Sequence, residues 1–172
     1  MKRTVLITGA SSGIGASLAK LFAQKDFRLI INARNTSRLN ELKEALGGNK
    51  DIVVIPADLS EKQGAEKLIQ EVENKGLHVD ILVNNAAQML WGDFSNHERF
   101  SIEELLQLNI CTLSIITHHF LNGMISRGSG KILNVASVAG FQPVPSMGLY
   151  AVSYTHLRAH ETPEHRVRRH KL

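Results

Sequence analysis

The chain has 172 residues, of which 43% are hydrophobic, 21% charged and 5% aromatic, with a formal net charge of +4. That apolar content excludes a disordered chain and suffices for one sizeable core, and no apolar run approaches the ~18 residues of a membrane span. The charge is uneven: residues 151–172 carry five basic and two acidic side chains and four of the eight histidines, so the excess of positive charge belongs largely to this tail.

Taken in chain order, short apolar runs alternate with amphipathic stretches. Lys2-Arg3 ahead of Val5-Leu6-Ile7 has the order of a secretory leader, but three apolar residues before Thr8-Gly9 are too few for its hydrophobic segment. Val5-Leu6-Ile7 reads instead as a strand ending in a glycine-rich turn. Ile14, Leu18, Leu21 and Phe22 then form a helical stripe. Leu29-Ile30-Ile31 reads as a second strand, and residues 36–46 as a helix with Leu39, Leu42 and Leu46 on one face. Ile52 to Ile55 forms a third strand, closed by Pro56, and residues 61–74 a helix carrying Leu68, Ile69 and Val72. Ile81-Leu82-Val83 is a fourth strand, residues 101–127 one long helix, and residues 131–135 a fifth strand. Buried strands alternating with helices predict an α/β fold with a doubly wound parallel sheet covered on both faces. The lone Cys111 has no internal disulfide partner, and a reducing cytoplasm is the expected compartment.

After Ser153 the texture changes. Residues 154–172 offer almost no apolar face, and Pro163 breaks any helix there. The expected division is a domain over residues 1–153 and a solvated, poorly ordered basic tail over 154–172. The tail's histidines have no ligand spacing, and no metal site is expected. Tyr154 is the tail's one aromatic, which gives no basis for nucleic-acid binding. His118-His119 reads as a surface or interface pair, with no cysteine or carboxylate near it in sequence.

Chemistry concentrates in two places. Thr8-Gly9-Ala10-Ser11-Ser12-Gly13-Ile14-Gly15 follows a strand and opens a helix. Gly9 allows the tight turn, Gly13 lets backbone approach a diphosphate, and Gly15 lets the helix lie close to the sheet. Free N–H groups at the helix start favour an anion, while no Gly-Lys-Ser/Thr follows to make a P-loop. An acid about 20 residues beyond the glycines would grip a ribose 2′-hydroxyl. Asn32-Ala33-Arg34-Asn35 stands there instead, and Arg34 can pair with a 2′-phosphate, which favours NADP(H) over NAD(H). An ordinary solvated arginine is the alternative reading of Arg34.

The second place is the ordered set that follows. The chain resembles the short-chain dehydrogenase/reductase family over residues 4–153, a Rossmann-type fold. Thr8 to Gly15 matches TGxxxGxG, and Asp58-Leu59 matches the pair that contacts adenine. Asn84-Asn85-Ala86-Ala87 matches NNAG with Ala87 in place of glycine. Asn109, Ser137 and Tyr150 match the catalytic asparagine, serine and tyrosine, with 13 residues between the last two positions. The resemblance implies hydride transfer between a nicotinamide cofactor and a small carbonyl or alcohol substrate. Tyr150 would be the general acid, Ser137 would hold the carbonyl oxygen, and Asn109 would anchor a relay water. It also implies a homo-oligomer. Singly, each residue has a plainer reading: Ser137 a cap, Tyr150 a core-edge aromatic, Asn109 an exposed helix polar, Asp58 a helix cap.

One position departs from the family pattern. Tyr-x-x-x-Lys reads Tyr150-Ala151-Val152-Ser153-Tyr154 here, and a neutral phenol cannot supply the lysine's charge. Family members run to roughly 250 residues, so the sheet is expected to be incomplete on its C-terminal side. The next helix and later strands would be missing and the fifth strand's edge exposed. The tail itself resembles translated sequencing-adapter read-through more than protein. The expectation for this chain is therefore little or no catalytic activity, with a non-catalytic dinucleotide-binding module as the alternative. Phe141, Val144 and Met147 suggest a partly apolar substrate; Trp91 could reach the same entrance, though it reads first as an ordinary packed loop aromatic.

Overall fold

A computed structural model describes residues 2–48, 51–142 and 144–159, with side-chain surroundings given as far as Thr155. Five parallel strands form one sheet: β1 (Arg3–Ile7), β2 (Phe27–Ala33), β3 (Ile52–Pro56), β4 (Ile81–Asn84) and β5 (Lys131–Asn134), in the order β3-β2-β1-β4-β5. Helices α1 (Gly13–Ala23), α2 (Thr36–Ala45), α3 (Gly64–Asn74), α4 (Arg99–Leu106), α5 (Leu113–Ser126) and α6 (Gly148–Ala159) connect or follow them. The order reverses beside β1, which is the doubly wound, Rossmann-type arrangement predicted, with a crevice at the C-terminal ends of β1 and β4.

The alternation of side chains along each strand makes two cores. Leu6, Ile30, Ile55 and Leu82 face α3 and α5 and meet Leu68, Val72, Ile116 and Phe120. Val5, Ile7, Leu29, Ile31 and Val83 face α1 and α2 and meet Ala19, Leu39 and Leu42. With apolar groups required on both faces, the strands read as continuous Val/Ile/Leu runs. Among the described residues β5 pairs only with β4, and Leu133 on it is 45% exposed. No described helix is long and apolar enough to cross a membrane.

The long helix expected over 101–127 runs without a break from Arg99 to Ser126, with a π-helical turn, Gln107–Thr112, between α4 and α5 that carries Asn109. Two expectations are corrected. Helix α3 starts at Gly64 rather than residue 61, because the preceding turn folds back so closely that a Cβ on Gly64 would strike the Asp58 carbonyl. The helix expected to be missing after β5 is present as α6. It runs six residues past Ser153, so the first part of the expected tail is helical. Burial of Ser153 and Tyr154 against the π-helical turn and Leu113 outweighs the polar composition that follows. The rest of the tail, residues 160–172, and the side chain of Arg158 lie outside the described residues.

Candidate cofactor and catalytic site

The crevice begins at Thr8, which is buried at the end of β1. Its hydroxyl donates to the Val83 carbonyl (3.3 Å) and accepts from the N–H groups of Asn85 (3.0 Å) and Ala86 (3.1 Å). Asn85 Nδ2 returns two bonds, to the carbonyls of Thr8 (3.0 Å) and Gly9 (3.1 Å). The loop after β4 is thereby pinned over the glycine turn. A Cβ on Gly9, at φ +64°, would lie 2.8 Å from Ala86 Cα, and one on Gly15 would strike the Gly9 carbonyl. Gly13, at φ +53°, has nothing within 4 Å where its Cβ would be. Two glycines thus close the turn against protein and one keeps its outer side open, the shape a diphosphate requires. Ser12 is the N-cap of α1 and its side chain makes no capping bond, so it does not itself occupy the helix start. Ile14 beside it is exposed.

A cavity of about 520 Å³ opens from this turn. Of the predicted cofactor residues, Gly9, Ser11, Ser12, Arg34, Asp58, Leu59, Asn85, Ala86 and Ala87 line it. Thr8, Gly13, Ile14 and Gly15 do not; they build the turn. Asp58 is no helix cap. Its Oδ1 accepts from the Ser60 N–H (3.0 Å) and hydroxyl (2.7 Å). Burial alone would raise its pKa, but those bonds and the charges of Arg34 and Lys67 hold the carboxyl below its ordinary range.

Sequence reasoning missed several lining residues. Arg38 stands one turn after Arg34, its N–H received by the Asn35 side chain (3.0 Å) that caps α2. Asn35 before an amphipathic run was the available signal. Asn32 is buried in the wall; its Nδ2 donates to the Ile55 carbonyl (3.0 Å), while its Oδ1 has no partner among the described residues. The chemistry of this lining, two arginines, a carboxylate and an open glycine turn, fits an adenosine dinucleotide.

Asn109 is buried, not on an exposed helix face: 1% of it is accessible. Its Oδ1 accepts from the Gln88 N–H (2.9 Å), and its Nδ2 donates to the Gln88 carbonyl (2.9 Å) and to Ser153 Oγ (3.2 Å). Both amide N–H groups are therefore committed to protein. Ser153, three residues after Tyr150 on α6, donates its own O–H to the Tyr150 carbonyl (2.8 Å). The loop after β4, the π-helical turn and the Tyr150 helix are thus tied by one amide. Ser137 Oγ accepts from the Ala139 N–H (3.2 Å), capping a short 3₁₀ turn, Val138–Gly140; its O–H remains able to donate. That turn packs on α6, where a Cβ at Gly140 would lie 3.0 Å from the Tyr154 carbonyl.

The rings of Tyr150 and Tyr154 meet on α6, centroids 4.6 Å apart and tilted by 57°. Burial, with the hydrogen bond and charge of Tyr150, pushes the Tyr154 phenol above the ordinary phenol range. The position that the family gives to a cation therefore holds a neutral group. Trp91, expected to be packed, is 65% exposed. His119 meets a carboxylate that its sequence neighbourhood did not show, Glu73 of α3 at 3.1 Å. Among the described residues no cluster of three metal-ligating side chains occurs.

Comparison with known proteins agrees with this geometry. The sequence matches the short chain dehydrogenase family over residues 3–168, past the point where the motifs stop. It is 35% identical over 156 residues to the "Uncharacterized oxidoreductase YvrD" of Bacillus subtilis (strain 168), covering 91% of this chain and 59% of that protein. It is 32% identical over 153 residues to the "Ketoacyl reductase HetN" of Nostoc sp., covering 88% and 53%. A short-chain dehydrogenase from Sphingobium yanoikuyae, solved in complex with NADPH, superposes with a TM-score of 0.82 at 32% identity, covering 89% of this chain and 60% of that one. The chain thus spans a little over half of the length of these relatives.

Proposed function

The chain belongs to the short chain dehydrogenase family, and we propose that it binds a nicotinamide dinucleotide, NADP(H) in preference to NAD(H), between its glycine turn and Arg34. The observation that carries this reading is the cavity lined by both Arg34 and Arg38 and by Ser11 and Ser12 of the glycine turn, with no carboxylate at the end of β2. A 2′-phosphate would give these guanidiniums a charged partner; a bare 2′-hydroxyl would not. Asp58 and Leu59, which line the same cavity, would receive the adenine.

The wider reading is an oxidoreductase acting on a small carbonyl or alcohol substrate. When bound, the nicotinamide supplies or accepts the hydride. Tyr150 holds the proton for the developing alkoxide, and the free Ser137 O–H donates to the carbonyl oxygen. The Asn109 amide fixes Gln88 and Ser153 with both its N–H groups, and its Oδ1, which accepts one bond from Gln88, keeps a lone pair with which to anchor a relay water. With Tyr154 in place of a cation, turnover by this chain is expected to be slight or nil. A non-catalytic dinucleotide-binding module is the second reading, favoured by that same neutral position. The longer relatives are expected to be homo-oligomers.

Titration calorimetry with NADPH and NADH tests the first claim. NADPH is expected to bind at least about tenfold more tightly, one charged pair's worth; equal affinities overturn the preference, and binding of neither overturns the site. Turnover of a carbonyl panel with NADPH, abolished by Tyr150→Phe, would refute the expected inactivity.

A further inference from the structure

We propose that Trp91 is a substrate-recognition residue: the carbonyl or alcohol compound taken by this site carries an aromatic ring, which lies against the Trp91 indole. The proposal rests on the reading of Ser137 and Tyr150 as the groups that meet the reacting oxygen, names the substrate class of that same site, and concerns the polypeptide as it stands. Its starting point is the segment after β4. Gln88 lines the dinucleotide cavity, and Asn109 holds both its backbone groups at 2.9 Å. Four residues on, the Gly92 N–H donates to the Ser146 carbonyl (2.9 Å), and Ser146 stands four positions before Tyr150. Residues 88–92 therefore cross from the cavity to the approach of the Tyr150 helix, a span of at most about 15 Å, and both ends are fixed.

Two unusual backbones make the second anchor. Ser146 has φ +61°, the one left-handed non-glycine among the described residues, and Gly92 has φ +124°, which only glycine takes without strain. A strained backbone persists where its surroundings over-determine it, and such residues cluster at ligand clamps. Here the strained residue's carbonyl grips the loop that carries Trp91. Met89, Leu90 and Trp91 stand between the anchors, and two of them are left in solvent: Met89 is 47% exposed and Trp91 65%. A loop pinned at both ends has thus not folded its largest apolar side chain away for its own stability. Val138, next to Ser137, and Phe141, which closes the same 3₁₀ turn, are exposed as well. An indole takes an aromatic ring by stacking or edge contact, and a thioether such as that of Met89 adapts to the ring's rim. Arg99, the loop's one Lys or Arg, is paired with Glu103 at 2.7 Å, so an anionic tail finds no free partner there and the ring's substituents are uncharged.

Trp91 is the chain's one tryptophan, so indole fluorescence reads this loop, and it does so without cofactor. The probes are benzyl alcohol and cyclohexylmethanol, alike in size, one flat and aromatic and the other saturated. Quenching of the indole by acrylamide is followed as each is titrated in. Benzyl alcohol is expected to lower the quenching constant roughly twofold at saturation, one indole face being covered, and to bind about threefold or more tightly than cyclohexylmethanol. Ser137→Ala should raise the concentration needed about fivefold, one neutral hydrogen bond's worth. Gly92→Ala strains the anchor and should abolish the protection; Ser146→Gly relieves the strain, keeps the anchor and should preserve it. Circular dichroism checks that each variant is folded, and the parent chain with Ser137→Ala decides the matter even where Gly92→Ala does not fold. Absence of protection in the parent chain overturns the proposal, as does equal protection by the two alcohols. Protection indifferent to Ser137→Ala also overturns it, by placing the ring away from that hydroxyl. So does an indole already shielded in the free chain, and more so at higher protein concentration, which makes this loop a contact between copies. Calorimetry with NADPH reads the dinucleotide site separately, so failure to bind it would sink the proposed function and leave this result standing.

Discussion

Asn109 Nδ2 donates to Ser153 Oγ at 3.2 Å, a bond between residues 44 apart in sequence. With the two bonds to Gln88 it closes a clamp around the candidate site, and all of it is carried by one side chain. Ser153→Ala leaves a buried N–H of Asn109 without a partner and should cost about 1–3 kcal/mol. Asn109→Ala strands the Gln88 N–H and carbonyl as well and should cost more. Urea unfolding measures both; equal, negligible shifts in midpoint would show that the clamp contributes nothing.

Tyr154 makes stability depend on pH in the alkaline range. Its folded pKa is raised by burial and by Tyr150 above that of the unfolded chain, which is about 10. The unfolded chain therefore loses this proton first. The contribution is fully present below about pH 10 and is lost as pH rises from there toward the folded value. Unfolding midpoints should fall steeply above that pH, and less steeply in Tyr154→Phe, which has no proton to lose there. Parallel curves for the two proteins would count against the burial of this phenol.

Arg34 and Arg38 are predicted to act on one phosphate. Arg34→Ala should weaken NADPH roughly tenfold or more and leave NADH nearly unchanged, since only the former carries the 2′-phosphate. Arg38→Ala should do the same to a lesser degree, because Arg38 stands a turn deeper into α2. Calorimetric titrations at two salt concentrations check this; a variant that loses both cofactors equally has been disturbed in the turn rather than in its anion contact.

The limits of sequence reasoning follow from these same residues. Strands and most helices were legible because a parallel sheet covered on both faces demands unbroken runs such as Leu29-Ile30-Ile31. The glycine turn was legible because close approach of Ala86 to Gly9 leaves no room for another residue. The π-helical turn was not. It carries an amide whose partners lie at Gln88 and Ser153, and a periodicity over residues 101–127 contains neither. Helix α6 was missed for a related reason: the polar sequence after Ser153 hides that Tyr154 is buried against Leu113. Arg38 was overlooked because one exposed arginine resembles another until a fold puts it beside Arg34.

Tyr154→Lys decides between a catalyst and a binding module. An ammonium at this position stands one helical turn from Tyr150, where it favours the phenolate and can reach a bound ribose. The site is apolar on the Leu113 side, so desolvation opposes the charge; the neighbouring phenolic oxygen and the bound dinucleotide offset it. The expected outcome is NADPH-dependent reduction of some member of a carbonyl panel, roughly a hundredfold or more above the parent chain. Tyr150→Phe in the same background should abolish it. Tyr154→Gln serves as the neutral control and should gain nothing. A folded Tyr154→Lys protein that binds NADPH and still turns over no carbonyl would favour the binding module, because the proton donor, the carbonyl clamp and the cation would then all be present without effect.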